Sequence, residues 1–387
     1  MKIHSPYLAL LLMLTLFLYA CSPQSNTSQP SHSERQEFDL VILNGRVIDP
    51  ETNFDGIRNV GIKDGSIAVI TEAEISGKET IDATGKVVSP GFIDIHAHGQ
   101  NIGDYRMQAM QGVTTMLELE SGVLPISDWY DGQAQKKLPL NYGAASGWTF
   151  ARIATFSDTE PESSAAYFQN AQKDLDWKMN IATPEQKEKI MAYVEEGLNQ
   201  DALGIGINAG YAPGYGQKEY YALAKMAVKH DVATFTHVRY ASNMEPKSSY
   251  EAIKKLISNS ALTGAHMHIC HINSASLKDI NSIVPMMDDA FEQGINISVG
   301  AYPWGAASTV VGAAMFSGEG WRERMGSTAN NFQLGTERMT EEQLNDYQKN
   351  SPGTFIVWHF LDESNPDDLA LLDKSVLHCF NYTKAKV

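Results

Sequence analysis

Apolar positions recur along this chain with two different periods, and the change from one to the other divides it. In residues 38–88 they fall in short runs. Asp39-Leu40-Val41-Ile42-Leu43-Asn44-Gly45-Arg46-Val47-Ile48 comes first, followed by residues 59–62, 66–70 and 80–82, with Lys63-Asp64-Gly65 and Thr84-Gly85 between them. Short apolar runs bounded by Gly, Asp and Asn read as strands and turns, and Asn44-Gly45 as a hairpin turn. A small β unit is therefore expected over 38–88. From residue 89 onward, strand-like runs alternate with helical periodicity. Val88-Ser89-Pro90-Gly91-Phe92-Ile93-Asp94-Ile95-His96-Ala97-His98 reads as a buried strand, and further strands are expected at 112–120, 140–146, 203–208, 232–237, 265–271 and 295–302. Thr183, Pro184 and Gln186 open a helix whose face carries Ile190, Val194 and Leu198. Helices are also expected over 218–230, after a capping box of Ser248 and Glu251, and through Ile280, Ile283, Met287 and Phe291 up to Gly294. Strands alternating with helices indicate a parallel α/β arrangement, and this number of strands suits a (β/α)8 barrel lacking one strand.

The first 37 residues lie outside this pattern. Residues 1–21 read as a signal peptide: Lys2 supplies a basic start, and the apolar run of 7–20 is short for a bilayer span. Leu18-Tyr19-Ala20-Cys21 resembles the cleavage box of bacterial lipoproteins, in which the Cys is lipidated. Residues 22–37, rich in Ser, Gln, Asn and Pro, read as a disordered tether. The expectation is an exported lipoprotein, anchored by Cys21 and facing the periplasm or the cell exterior. A net charge of −16 with no basic patch excludes nucleic acid as a partner. The 3 cysteines are too few and too scattered for a disulfide framework.

In barrels of this kind the site lies at the C-terminal ends of the strands. Those ends carry His96 and His98, then Glu120 with Glu118 on the same face, then His237, then His271. His266 and His268 share a face opposite to that of His271 in a straight strand, and are expected to pack rather than ligate. Imidazoles at several strand ends around buried carboxylates are the ligands of divalent metals. Two such metals sharing a carboxylate activate water toward an unactivated amide or ester bond. No nucleophile elbow, phosphate loop or dinucleotide motif competes, since Gly204 and Gly206 lack a G-x-G-x-x-G continuation.

These motifs resemble the amidohydrolase superfamily, and within it the N-acyl-D-amino-acid deacylases (D-aminoacylase and N-acyl-D-glutamate deacylase type). The resemblance rests on Asp39-Leu40-Val41-Ile42-Leu43-Asn44-Gly45 and Pro90-Gly91-Phe92-Ile93-Asp94-Ile95-His96-Ala97-His98. It continues through Gly112-Val113-Thr114-Thr115, Gly210-Tyr211-Ala212-Pro213-Gly214, Thr236-His237-Val238-Arg239, Cys270-His271-Ile272-Asn273 and Tyr302-Pro303-Trp304. It implies a β-sandwich (38–88) beside a metal-bearing barrel (89–378), one or two divalent metals, typically Zn2+, and an N-acyl amino acid as substrate. It also implies that His96 and His98 hold one metal and His237 and His271 the other. Glu120 would bridge them where the D-aminoacylases use Cys. Tyr211 would contact the substrate carboxylate, with Arg239 and Tyr302 nearby, and Asn273 stands where these enzymes often have Lys. The family's eighth strand ends in a ligating Asp, whereas residues 379–387 are polar and basic and read as a non-family tail. The expectation is a truncated member with an incomplete site. Two alternatives stand beside this reading. A cyclic-amide hydrolase of the dihydroorotase or hydantoinase kind would need a Lys on an inner strand, and residues 113–120 and 203–208 contain none. The other is a non-catalytic lipoprotein remnant.

Overall fold

The structure, a computed structural model, describes residues 38–383. The expected signal peptide with Cys21, the tether and residues 384–387 lie outside the described residues. The chain divides into two units, one ending at Pro90 and the other beginning at Gly91.

The first unit contains β1 (Phe38–Asp49), β2 (Phe54–Lys63), β3 (Ser66–Thr71), β4 (Gly77–Asp82) and β5 (Val87–Val88). They form one five-stranded sheet in the order β3-β2-β1-β4, with β5 also on β1. Asn44-Gly45 does not make the expected hairpin. It is a bulge inside β1, where Asn44 has φ 60° and the pairing with β2 slips between Ile42 and Gly45. The strand continues because Arg46 still finds partners on both sides, Ile57 of β2 and Val87 of β5. An extra residue in αL geometry is accommodated as a bulge when both flanks stay paired.

The second unit is built on seven strands: β6 (Phe92–Asp94), β7 (Val113–Val123), β8 (Asn141–Gly147), β9 (Gly204–Asn208), β10 (Ala233–His237), β11 (Met267–Ile269) and β12 (Ile297–Val299). They pair in parallel and in sequence order, with β6 and β12 at the two edges. The intervening helices pack on this TIM-like sheet. Ile205, Ile207, Met267 and Ile297, all fully buried, share one core with Ile190 and Val194 of the helix Pro184–Asn199 and Ile283 of the helix Ile280–Glu292. The Thr183–Gln186 capping box forms as expected. At Ser248 only half of it forms: Ser248 Oγ accepts the Glu251 N–H, while the Glu251 carboxylate takes the N–H of Lys247 instead.

Two departures from the expected pattern concern the site. The His96/His98 strand is short and open rather than buried: Phe92 and Ile93 are more than 60 % exposed, and among the described strands β6 pairs with β7 alone. Residues 306–359 also hold a third sheet that periodicity did not reveal, in the order β13 (Ala306–Val310), β16 (Phe355–His359), β14 (Phe332–Leu334), β15 (Glu337–Arg338). Its strands are too short to show a period, yet it has its own core of Val310, Phe316, Phe332, Ile356 and Trp358. The helix Pro366–Thr383 follows, with Asp373 on its exposed face and the first residues of the expected tail within it.

Candidate metal centre

The end of β7 organises the site. Glu118 and Glu120 are 4 % and 3 % exposed. The β7–β8 pairing is irregular between Glu118 and Val123. Gly206 of β9 admits this backbone, since a Cβ there would lie 2.6 Å from the carbonyl oxygens of Leu119 and Glu120.

Glu120 touches four imidazoles, two on each oxygen. Oε2 lies 3.1 Å from His98 Nε2 and 3.4 Å from His96 Nε2. Oε1 lies 2.7 Å from His271 Nε2 and 3.1 Å from His237 Nδ1. His271 Nε2 and His237 Nδ1 are themselves 3.0 Å apart. Every ion-pair partner of Glu120 among the described residues is thus a histidine. Burial favours the protonated carboxyl, but the charges of His96 and His271 and the hydrogen bonds of His237 and His271 hold its pKa well below the carboxylate range. For His98, burial favours the neutral ring, and Glu118 and Glu120 outweigh it, raising its pKa well above normal. Burial lowers the pKa of His237. Four imidazoles converging on one carboxylate, with two ring nitrogens 3.0 Å apart, gather nitrogen and oxygen ligand atoms around a common point. That donor set fits one or two divalent cations sharing a carboxylate.

The fold explains how these rings meet. His96 and His98 follow β6 one residue apart, and the Ala97 N–H continues the ladder to the Leu117 carbonyl, so both rings face the same side with centroids 4.9 Å apart. His237 is the last residue of β10. Its ring lies against Gly210, where a Cβ would come within 2.6 Å of Cδ2. His271 sits two residues beyond β11 in left-handed backbone, φ 35°. Ser274 Oγ lies 3.0 Å from its Nδ1 and donates to its carbonyl at 3.2 Å, fixing the ring. His266 and His268 share Ser298 Oγ at 2.8 and 2.9 Å, and burial lowers the His268 pKa to about 3.

Glu118 holds His98 Nδ1 at 3.0 Å and accepts from Gln100 Nε2 at 3.4 Å, while Trp129 Nε1 donates to Gln100 Oε1 at 2.6 Å. A carboxylate behind a ligating imidazole sets its tautomer and orientation. Glu118→Ala is therefore expected to weaken metal binding at the His96/His98 half by about 10–100-fold. Metal titration of both proteins measures this, and an unchanged affinity would remove Glu118 from that role.

A cavity of about 750 Å³ opens over the centre. Tyr211 and Tyr302 line it, and Tyr211 Oη is 2.7 Å from Thr309 Oγ1 on β13. Phe355 and Trp358 of β16 complete the wall, so the third sheet shapes the site. Arg239 and Asn273 do not line the cavity. Arg239 Nε donates to the Pro213 carbonyl at 2.7 Å, its Nη2 to that carbonyl and to Tyr215 O, and its guanidinium stacks over the Tyr215 ring. Asn273 Nδ2 donates to the carbonyls of Tyr302 and Trp304 at 3.0 and 3.2 Å. Both are occupied in holding the loops that carry Tyr211 and Tyr302. The charged lining residues outside the histidines are all acidic: Asp104, Glu118 and Glu120. Gln100 and Ser274 join the site without standing at a strand end. Ser274 carries a signal in the sequence, a hydroxyl three residues after His271, the spacing at which such side chains bond backward.

Residues 79–351 match the family described as "Amidohydrolase family". An allantoinase of Escherichia coli O1:K1 / APEC is 25 % identical over 269 residues, covering 61 % of this chain and 54 % of that protein. A dihydroorotase of Streptococcus pneumoniae serotype 4 is 39 % identical over 99 residues, 23 % of this chain and 24 % of that protein. The chain spans about half the length, or less, of these curated relatives. Among solved structures, the N-acyl-D-glutamate deacylase of Bordetella bronchiseptica, complexed with zinc and a phosphonate inhibitor, superposes with a TM-score of 0.68 at 17 % identity, over 87 % of this chain and 74 % of that one. A D-aminoacylase gives 0.66 at 19 % identity, over 86 % and 73 %. These two share the fold.

Proposed function

This chain belongs to the amidohydrolase family, and from that premise we propose that it is a metal-dependent hydrolase of carbon–nitrogen bonds, acting on an N-acyl amino acid with zinc as its metal. The observation that carries this reading is the Glu120 carboxylate with one histidine pair on each oxygen. When bound, the metal supplies a Lewis acid and a water of lowered pKa. The chain's own residues position the reaction. Glu118 and Ser274 fix the rings of His98 and His271. The aromatic wall of Phe168, Trp304, Phe355 and Trp358 keeps bulk water from an acyl group. The Tyr211–Thr309 hydroxyl pair, facing the same cavity, offers one neutral O–H donor to a substrate carboxylate, the other being used within the pair. The N-terminal apolar run and Cys21 support a lipid anchor at the outer face of a bacterial membrane.

Sequence similarity to an allantoinase and a dihydroorotase favours a second reading, cyclic-amide hydrolysis. Against it, the bridging position carries Glu120, and neither β7 nor β9 contains a Lys. The test is a zinc-loaded assay of N-acyl-D-amino acids, their L-isomers, and the ring amides of allantoin, hydantoin and dihydroorotate. Turnover of linear D-substrates, abolished by a chelator, is expected. Ring opening without linear turnover would replace this reading by the second. Metal binding with no turnover of any substrate would make the chain a binding protein.

A further inference from the structure

Of the two cysteines among the described residues, Cys270 is buried, 1 % exposed, and lies at the metal centre. Its sulfur, a ring nitrogen of His96 and an oxygen of Glu120 all lie within 4.8 Å of one another. The backbone fixes its place. Cys270 N–H donates to the Thr236 carbonyl at 3.1 Å, extending the β10–β11 ladder one residue past Ile269.

In an extended strand, residues 270 and 271 would point to opposite faces. Here His271 adopts φ 35°, a left-handed conformation that costs a residue with a Cβ about 1–3 kcal/mol. The resulting turn aims the His271 ring at Glu120 Oε1 while Cys270 stays grouped with His96, whose Nε2 sits on Oε2. Two sequence neighbours therefore serve opposite halves of the centre. In a tetrahedral zinc site, bonds near 2.3 Å to sulfur and 2.0–2.1 Å to nitrogen place ligand atoms roughly 3.5 Å apart. Drawing the three groups together by about 1 Å reaches that spacing.

We propose that Cys270 is a metal ligand, joining His96, His98 and Glu120 in a site selective for a borderline-soft divalent cation. On binding, the S–H bond breaks, its proton leaves to solvent, and a sulfur–metal bond forms. A thiolate among imidazoles favours zinc or cobalt over magnesium or manganese, which prefer oxygen ligands. The assignment rests on the metal reading above.

The test uses the full chain with zinc replaced by cobalt(II). Wild type is expected to show a near-ultraviolet thiolate-to-cobalt charge-transfer band beside the visible cobalt bands. Cys270→Ser should lose the first and keep the second, and Cys379→Ser should keep both. X-ray absorption at the zinc edge of the unmodified protein needs no variant, and is expected to show a sulfur shell at about 2.3 Å. Visible cobalt bands without the near-ultraviolet band, its survival in Cys270→Ser, or a zinc shell of nitrogen and oxygen alone would overturn the assignment and leave amide hydrolysis standing. Failure to take up cobalt or zinc at all would overturn both.

Discussion

Glu120→Gln is expected to abolish turnover and to empty both halves of the metal centre. The substitution keeps the volume and one acceptor oxygen, and removes only the negative charge and the second acceptor. That charge is what the four imidazoles converge on, with His96 and His98 on one oxygen and His237 and His271 on the other. A neutral amide cannot bridge two cations. Its NH2 would face ring nitrogens that must present lone pairs to metal. If the metal supplies even about 4 kcal/mol of transition-state stabilisation, its loss lowers kcat/KM by about 10³-fold. Glu118→Ala touches one ring from behind and should leave the second pair loaded. The measurement is metal content per chain together with kcat/KM on the substrate that wild type turns over. A Glu120→Gln protein that keeps its metal and stays within tenfold of wild-type activity would show that the four histidines assemble the centre without a bridge.

The ligand candidates were legible in the sequence because each stands at or near the end of an apolar run, and a parallel sheet gathers such ends at one face. His96, His98, Glu120, His237 and His271 are brought together on that logic. What the sequence hid has particular physical causes. The sequence assigns His271 to the site and His266 and His268 to packing, but not the means by which both parities fit one strand, which is a positive φ at a residue other than glycine. The same kink concealed Cys270, which a straight strand would turn away from whichever face His271 occupies. Arg239 and Asn273 occupy motif positions, but a motif does not say where a guanidinium or an amide points. Here both are held by backbone carbonyls. Asn44-Gly45 has the local signature of a turn, and partners distant in sequence make it a bulge. The third sheet, with strands of two to five residues, offers no period to detect, although it supplies Thr309, Phe355 and Trp358 to the cavity.

Glu219→Gln is expected to cost about 3–5 kcal/mol of stability, lowering the melting temperature by roughly 6–10 °C. Glu219 and Arg152 are 2 % and 0 % exposed, and Arg152 Nη1 donates to both carboxylate oxygens of Glu219 at 2.9 and 3.0 Å. The pair is fully engaged. Trp148 Nε1 donates to Glu219 Oε1 at 2.8 Å, and Arg152 also donates to the carbonyls of Trp177 and Asn180. Gln at 219 can keep the indole bond but leaves a guanidinium buried without a counter-charge, which costs more than the pair contributes over a neutral filling. The double variant Arg152→Met with Glu219→Leu should therefore recover part of the loss. Recovery stops short of wild type because the carbonyls of Trp177 and Asn180 lose their donor. The consequence extends to the cavity. Residues 177–180 accept the Gly214 N–H at the Lys178 carbonyl, and the Met179 backbone lies where a Cβ on Gly214 would come within 2.1 Å. That contact seats the loop carrying Tyr211, so KM should rise in Glu219→Gln even at temperatures where it is folded. Thermal melts of the three proteins decide the energetic argument. A double variant no more stable than Glu219→Gln would mean that the carbonyl bonds, rather than the buried charge, set the cost.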